Sequence, residues 1–249
     1  MKALLSSTYF GPIQWYQKLN RYDECLIERH ESFIKQTYRN RMLIPTSNGP
    51  LSLTIPTNHN TSLAMKDIRI SDHANWRHVH WNALLSAYGE SPFFEYYQDD
   101  IRPFYEKKYE FLFDFNMEIT EKMIELLDIR PKISITNEYI QNEELKVKSI
   151  ESEELKVKSE EFNGLANHKV QSSNLKVQSK EVQSKEVQSK EVQSIADFRE
   201  AIRPKKPLPD AEFESKRYYQ VYEQKFGFQP NMSILDLLFN EGNEAIFYL

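Results

Sequence analysis

Residues 141–195 carry a five-residue repeat that no buried secondary structure accommodates. The motif Leu-Lys-Val-Lys-Ser at residues 145–149 recurs at 155–159, and residues 180–194 repeat Lys-Glu-Val-Gln-Ser three times. A valine every five residues advances about 500° around a helix, so successive valines lie on different faces and form no apolar stripe. On a strand, an odd period also changes face at each step. We therefore predict a solvated low-complexity insertion, disordered or fraying-helical.

The insertion divides the chain into residues 1–140 and 196–249, which we predict to form one discontinuous domain. Within the insertion Phe162 is the only aromatic residue, and Arg, Pro and Trp are absent, whereas the flanking segments are densely apolar. A partner-binding arm remains an alternative for the insertion, although the repeat lacks the aromatic anchors that usually dominate binding surfaces.

The flanking segments read as alternating strands and helices. Residues 2–8 have the pattern of a buried strand, residues 12–19 that of a helix with Pro12 in its first turn, and residues 24–28 that of a second strand. Further strands are predicted at 51–55, 68–70 and 133–135, and further helices at 111–127, at 196–203 and after a Ser233–Asp236 capping box. This order predicts a single α/β domain with a partly parallel mixed sheet flanked by helices.

Composition excludes several classes of protein. No apolar run approaches the roughly 18 to 20 residues that span a bilayer, so we expect a cytoplasmic protein without a membrane partner. The formal charge of −5 is spread over both signs, which argues against a nucleic-acid partner. Cys25 is the only cysteine and lies in a strand pattern, so we expect a buried thiol. The oligomeric state is left open.

Several short motifs, in their order along the chain, resemble the WbqC-like family, a bacterial group named after a gene of O-antigen clusters. The motifs are Tyr-Phe-Gly-Pro at 9–12, Lys-Gln-Thr-Tyr-Arg-Asn-Arg at 35–41, Trp-Arg-His-Val-His-Trp at 76–81, Ser-Pro-Phe at 91–93, Asp-Phe-Arg at 197–199 and Ser-Ile-Leu-Asp-Leu-Leu-Phe-Asn at 233–240. The resemblance covers the chain outside the insertion. It implies a setting in surface polysaccharide biosynthesis and brings no agreed catalytic residues.

A basic segment follows the second predicted strand. Lys35, Arg39 and Arg41 stand there with Gln36 and Asn40 as further hydrogen-bonding groups. Open α/β sheets bind ligands outside the carboxyl ends of their strands, and Arg contacts phosphate or carboxylate at two points. We predict that these residues bind a small anionic substrate, such as a nucleotide sugar or another phosphorylated metabolite. The alternative is a solvated basic turn, or arginines paired with local carboxylates.

The aromatic segment contains the candidate catalytic residue, His80. Trp76, His80 and Tyr88 recur at helical spacing, so His80 points into an aromatic face, where it could act as acid or base. The alternative is a hydrogen-bonded core histidine. Trp76, Trp81, Tyr88 and Tyr96 are predicted to line the same substrate site, although rings at helical spacing are more often core.

Neither a metal site nor a cofactor site is predicted. His78 and His80 lie about 200° apart on a helix and cannot share a metal ion. No Gly-rich phosphate loop and no nucleophile elbow is present. The sequence therefore predicts a cofactor-free transferase acting on a phosphate-bearing sugar, with a non-catalytic binding or assembly protein as the alternative.

Overall fold

The computed structural model describes residues 1–58, 63–141 and 194–249. Met1–Ile140 and Ile195–Leu249 form one compact unit. The predicted character of the repeat falls on residues 142–193 and lies outside the described residues. No helix in the described ranges is long and apolar enough to cross a membrane.

The described unit contains short strands and helices. The strands are β1 (Lys2–Ser6), β2 (Glu24–Glu28), β3 (Arg41–Ile44), β4 (Leu51–Thr54), β5 (Thr57–Asn58), β6 (Arg69–Ile70), β7 (Ile133–Ile135) and β8 (Ile195–Asp197). The helices are α1 (Ile13–Arg21), α2 (Trp76–Tyr88), α3 (Phe94–Ile101), α4 (Pro103–Glu106), α5 (Leu112–Leu126), α6 (Glu223–Phe226) and α7 (Ile234–Glu241). Short 3-10 turns occupy Met65–Asp67, His73–Asn75 and Gly242–Tyr248.

A four-stranded parallel sheet in the order β7-β2-β1-β8 organises the unit. β3 pairs with β4 and β5 with β6 in two antiparallel ribbons. Helices flank the parallel sheet, so the predicted α/β fold is confirmed. β1 has β2 on one side and β8 on the other, so the crevice at the carboxyl ends of β1 and β8 is the topological switch point, where open α/β sheets commonly bind ligands.

Two helices show how apolar spacing builds the core. α5 buries Phe115, Ile119 and Met123 completely, and their spacing of four residues places them on one face. α7 is buried on all sides, because each residue from Ile234 to Asn240 is shielded from solvent. A helix that is apolar around most of its circumference can only lie in the interior.

The predicted helix at residues 196–203 is wrong. Ile195–Asp197 is a parallel strand, with Ala196 opposite Ala3 of β1, and a turn follows in which the backbone N–H groups of Ala201 and Ile202 both donate to the Phe198 carbonyl. Three residues carry too little local pattern to specify a strand. The open edge of β1 supplies the hydrogen-bonding partners instead, and this tertiary pairing overrides local propensity.

The predicted capping box of α7 is half correct. The Ser233 hydroxyl accepts from the Leu235 N–H at 3.4 Å, as a helix cap does. Asp236, however, does not reach back to the Ser233 N–H, which donates to the Leu43 carbonyl at 2.8 Å. The Asp236 carboxylate accepts from Tyr218 and Gln220 instead, and burial raises its pKa to about 6.

Candidate functional site

Arg39 of the basic segment is a buried ion-pair partner. Its side chain is 2% exposed, and its Nε donates to Glu31 Oε1 at 2.8 Å while Nη2 bonds Glu31 Oε2. Further bonds run from Nη2 to Ser6 Oγ at 2.8 Å and from Nη1 to Thr37 Oγ1 at 3.2 Å. These bonds occupy the fork that an incoming anion would need, so the geometry matches the alternative of an arginine paired with a local carboxylate.

The other members of the basic segment point in different directions. Asn40 is buried and donates to the Ile55 carbonyl, while Arg41 lies in β3 and donates from Nε to Thr54 Oγ1 at 3.0 Å. Lys35 and Gln36 are exposed, and Gln36 accepts a bond from Lys205. The structure does not bring these residues together in one cavity among those found in the described ranges.

The switch-point crevice is closed. It is lined by Ser6, Thr8, Arg39 and Arg199 and holds only about 10 Å³, room for no more than a water molecule. Arg199 donates from Nε and Nη2 to the Asp197 carboxylate, which ends β8. The ionic groups at this edge of the sheet hold strand ends together, and no sugar fits between them in this conformation.

His80 is a buried, neutral ring that lies behind the wall of a cavity. It is 4% exposed, and burial lowers its pKa from the ordinary 6.5 to about 4, only partly offset by a hydrogen bond to the backbone of Thr54. His80 Nδ1 and the Tyr9 hydroxyl oxygen are hydrogen-bonded at 2.9 Å, and the Tyr9 and Tyr105 hydroxyl oxygens are hydrogen-bonded at 2.9 Å. In the tautomer with its proton on Nε2, Nδ1 accepts from Tyr9, and Tyr9 then accepts from Tyr105.

This chain, which we call the His80 relay, connects the ring to the surface through Tyr9 and Tyr105. Burial raises the pKa of both phenols above the ordinary value, so both are protonated at neutral pH. Tyr105 is the end of the relay that lines a cavity. His80 therefore meets a ligand only through two hydroxyl groups.

That cavity, the α2–α4 cavity, has a volume of about 420 Å³, within the usual range of small-molecule sites. α2, α4 with the residue before it, and the neighbouring loops contribute its lining. The lining residues are Asp72, Asn75, Arg77, His78, Trp81, Arg102, Tyr105, Glu106 and Lys108. Among the predicted site residues, Trp81 is the one that lies here.

Charge in the α2–α4 cavity favours an anion. Three cations face two carboxylates, and Arg77 and Lys108 both approach Asp72, at 2.6 and 3.2 Å. Their hydrogen bonds hold the pKa of Asp72 below its ordinary value. The Arg77 guanidinium lies over the Trp76 ring, 4.5 Å from its centroid, and keeps Nε and Nη2 buried without a hydrogen-bond partner within the described residues. Unsatisfied buried donors are rare in proteins and are costly unless an acceptor arrives.

The residues on the α2 face of this cavity have a spacing that can be recognised in the sequence. Arg77 and Trp81 are four residues apart and His78 and Trp81 three apart, so all three share one helix face. Arg102, Tyr105 and Glu106 have the same spacing around α4. Of the residues predicted from this motif, Trp81 lies on this face, whereas Trp76 and His80 lie on the adjoining, buried face.

The remaining aromatic candidates separate into core and surface. Trp76 and Tyr88 are 4% and 1% exposed, Trp76 Nε1 donates to the Ser71 carbonyl, and Tyr88 packs on Phe239. Tyr96 is 73% exposed and lines a different cavity of about 450 Å³, the Tyr96 cleft. Its other lining residues are Phe93, Tyr97, Glu241, Asn243 and Glu244.

The residues that the structure describes contain no cluster of three His, Cys, Asp or Glu side chains that could hold a metal ion. His78 is exposed and bonds Asn82, whereas His80 is buried, so the two rings face apart. The α2–α4 cavity thus offers cationic forks, an indole face, a phenol and a proton relay.

Comparison with known proteins places the chain in a family. It is 26% identical over 251 residues to the uncharacterized protein Rv1507c of Mycobacterium tuberculosis, an alignment that spans 99% of this chain and 96% of the relative. No solved structure matches it. The family model of the WbqC-like proteins matches residues 7–248, nearly the whole length. The chain therefore belongs to the WbqC-like protein family.

Proposed function

We propose that the protein is an enzyme of surface polysaccharide biosynthesis that transfers a group to or from a phosphate- or nucleotide-linked sugar bound in the α2–α4 cavity. The observation that carries this proposal is the pair of unpartnered buried donors on Arg77, beside Arg102 and Lys108. A phosphate oxygen supplies the acceptor that these donors lack, and the planar guanidinium suits two-point contact.

The remaining lining suits the sugar part of such a ligand. Trp81 is half-buried and offers an apolar ring, while Asn75, Glu106 and Tyr105 offer polar contacts that could fix orientation. Sites for small molecules combine these two kinds of surface. The joint presence of cations and an aromatic wall supports the proposed substrate class.

In this proposal the His80 relay accepts a proton from a sugar hydroxyl as its oxygen bonds to the transferred group, while the bond between that group and its donor breaks and the donor leaves with the electron pair. The hydroxyl proton passes to the Tyr105 oxygen, the Tyr105 proton to Tyr9, and the Tyr9 proton to His80 Nδ1. With a pKa of about 4 the buried ring is a weak base. A bound anion nearby would favour the charged ring and raise this pKa, which couples proton transfer to substrate binding.

The test is a melting-temperature screen with sugar phosphates and nucleotide sugars, followed by mass spectrometry of each stabilising ligand mixed with acyl-coenzyme A species and amino acids. A ligand at a hundred times its Kd should stabilise the fold by about 2.7 kcal/mol. Arg102→Gln and Lys108→Gln should reduce this effect, because both side chains are exposed in the cavity wall and contribute little to folding.

Arg217→Gln is the matched control, since Arg217 is also an exposed, paired arginine and lies outside the cavity. Binding that the cavity variants lose, together with a transferred mass, supports the enzyme. Binding without any turnover would favour a binding or assembly protein. The absence of stabilisation by every anionic sugar would refute the substrate class.

A further inference from the structure

The Tyr96 cleft is lined by three aromatic rings, of which Tyr96 is 73% exposed while Tyr97 is buried behind it at 3%. Tyr96 and Tyr97 have ring centroids 4.7 Å apart and an interplanar angle of 84°, and Phe93 adds a third ring that is 38% exposed. Ring faces carry negative charge density and attract cations, most strongly where several rings meet. Such a corner is typical of sites that bind quaternary ammonium groups.

The charges around these rings have the same sign. Glu241 and Glu244 line the cleft, and no cationic residue does so in the part of the chain that the structure describes. Glu241 is held in place, because it accepts from the Tyr219 N–H at 2.9 Å and from the Tyr248 hydroxyl at 3.2 Å. α7 ends at Glu241, and the carboxyl end of a helix adds partial negative charge.

Contacts within the protein hold the walls of the cleft in place. Gly242 has a φ of +58°, and a Cβ atom there would lie 2.7 Å from the Phe93 ring, so the bare backbone packs against that ring. The Tyr97 hydroxyl donates to Asn243 Oδ1 at 2.9 Å and the Phe93 N–H donates to the Phe239 carbonyl at 3.0 Å. Preorganised walls spare a ligand the cost of ordering them.

We propose that the Tyr96 cleft is a second binding site, specific for a small molecule or substituent that carries an ammonium group. Two exposed rings, Tyr96 and Phe93, two carboxylates and a helix carboxyl end all favour a cation, and the cleft's volume of about 450 Å³ accommodates more than the charged group alone. The cleft shares no lining residue with the α2–α4 cavity and has the opposite charge. It therefore stands independently of the proposed function.

Choline is the probe, and its uncharged carbon isostere dimethylbutanol is the chemical control. We expect saturable binding of choline to the full chain in an NMR titration, and much weaker binding of the isostere. Tyr96→Ala should weaken choline binding about tenfold, whereas Tyr96→Phe should stay within about twofold, because the ring and not the hydroxyl attracts the cation. Glu244→Gln, at an exposed position, should weaken binding severalfold.

Phe247→Ala is the matched control, since Phe247 is 74% exposed and does not line the cleft. Melting temperatures confirm that each variant is folded. The proposal is overturned if choline shows no saturable binding, if the isostere binds equally well, or if Tyr96→Ala binds choline as tightly as the parent.

Discussion

Removing the carboxylate opposite Arg39 should destabilise the fold severely. In Glu31→Gln the guanidinium stays buried at 2% exposure, but its two bonds to a charged carboxylate become one bond to a neutral amide oxygen. Breaking a buried ion pair by removing one partner costs about 3 to 5 kcal/mol, because the remaining charge is left without compensation. The total free energy of unfolding of a typical domain is only about 5 to 15 kcal/mol.

Urea unfolding followed by circular dichroism measures this loss. Glu106→Gln is the control, because Arg102–Glu106 is also an Arg–Glu ion pair, joined by one bond from Arg102 Nε, but both side chains are more than half exposed. An exposed pair contributes about 0 to 1 kcal/mol, so the control should unfold almost like the parent. If Glu31→Gln lost no more stability than Glu106→Gln, Arg39 would not depend on Glu31 and would be available to an anion after all.

Three further perturbations test other parts of the structure. Neutral His80 contributes stability that is complete above its unfolded pKa of about 6.5 and is lost as the pH falls towards 4. The difference in unfolding free energy between the parent and His80→Gln should therefore shrink by about 3 kcal/mol over that range. An unchanged difference would refute the depressed pKa. Gly242→Ala should lower stability by about 1 to 3 kcal/mol in thermal unfolding, because of its positive φ and the collision with Phe93, and a neutral effect would contradict this packing. Replacing residues 142–193 by a short flexible linker that retains Ile195 for its place beside β1 should leave the melting temperature nearly unchanged, since loop length enters stability only logarithmically; a large drop would mean that the repeat packs.

The sequence predicts those elements whose pattern is local. β2 was predicted at its observed bounds, because Glu24–Glu28 contains the continuous apolar run Cys25-Leu26-Ile27 and is flanked by polar residues. The period of α5 was equally clear. β8 was missed because three residues become a strand only by pairing with β1, from which they are separated by most of the chain. Such pairing leaves no local signal.

The sequence predicts which residues share each helix face of the candidate site, but not that the two faces meet. Arg77 and Trp81 share a helix face by their spacing alone, and so do Arg102 and Tyr105. That these two faces meet across a cavity follows from the packing of α2 on α4, which no spacing reveals. The pairing of Arg39 was equally hidden. Its cluster of cations suggested an anion site, but in the fold the Glu31 carboxylate, eight residues upstream, binds the guanidinium.

Calorimetric titration of pyrophosphate into the parent, Arg77→Lys and Arg41→Lys compares the α2–α4 cavity directly with the basic segment. Each substitution keeps the charge and removes the planar fork. We predict that the parent binds pyrophosphate, that Arg77→Lys binds it about tenfold more weakly, and that Arg41→Lys binds it like the parent. Loss of binding in Arg41→Lys with full retention in Arg77→Lys, or no binding to the parent, would contradict an anion site in the α2–α4 cavity.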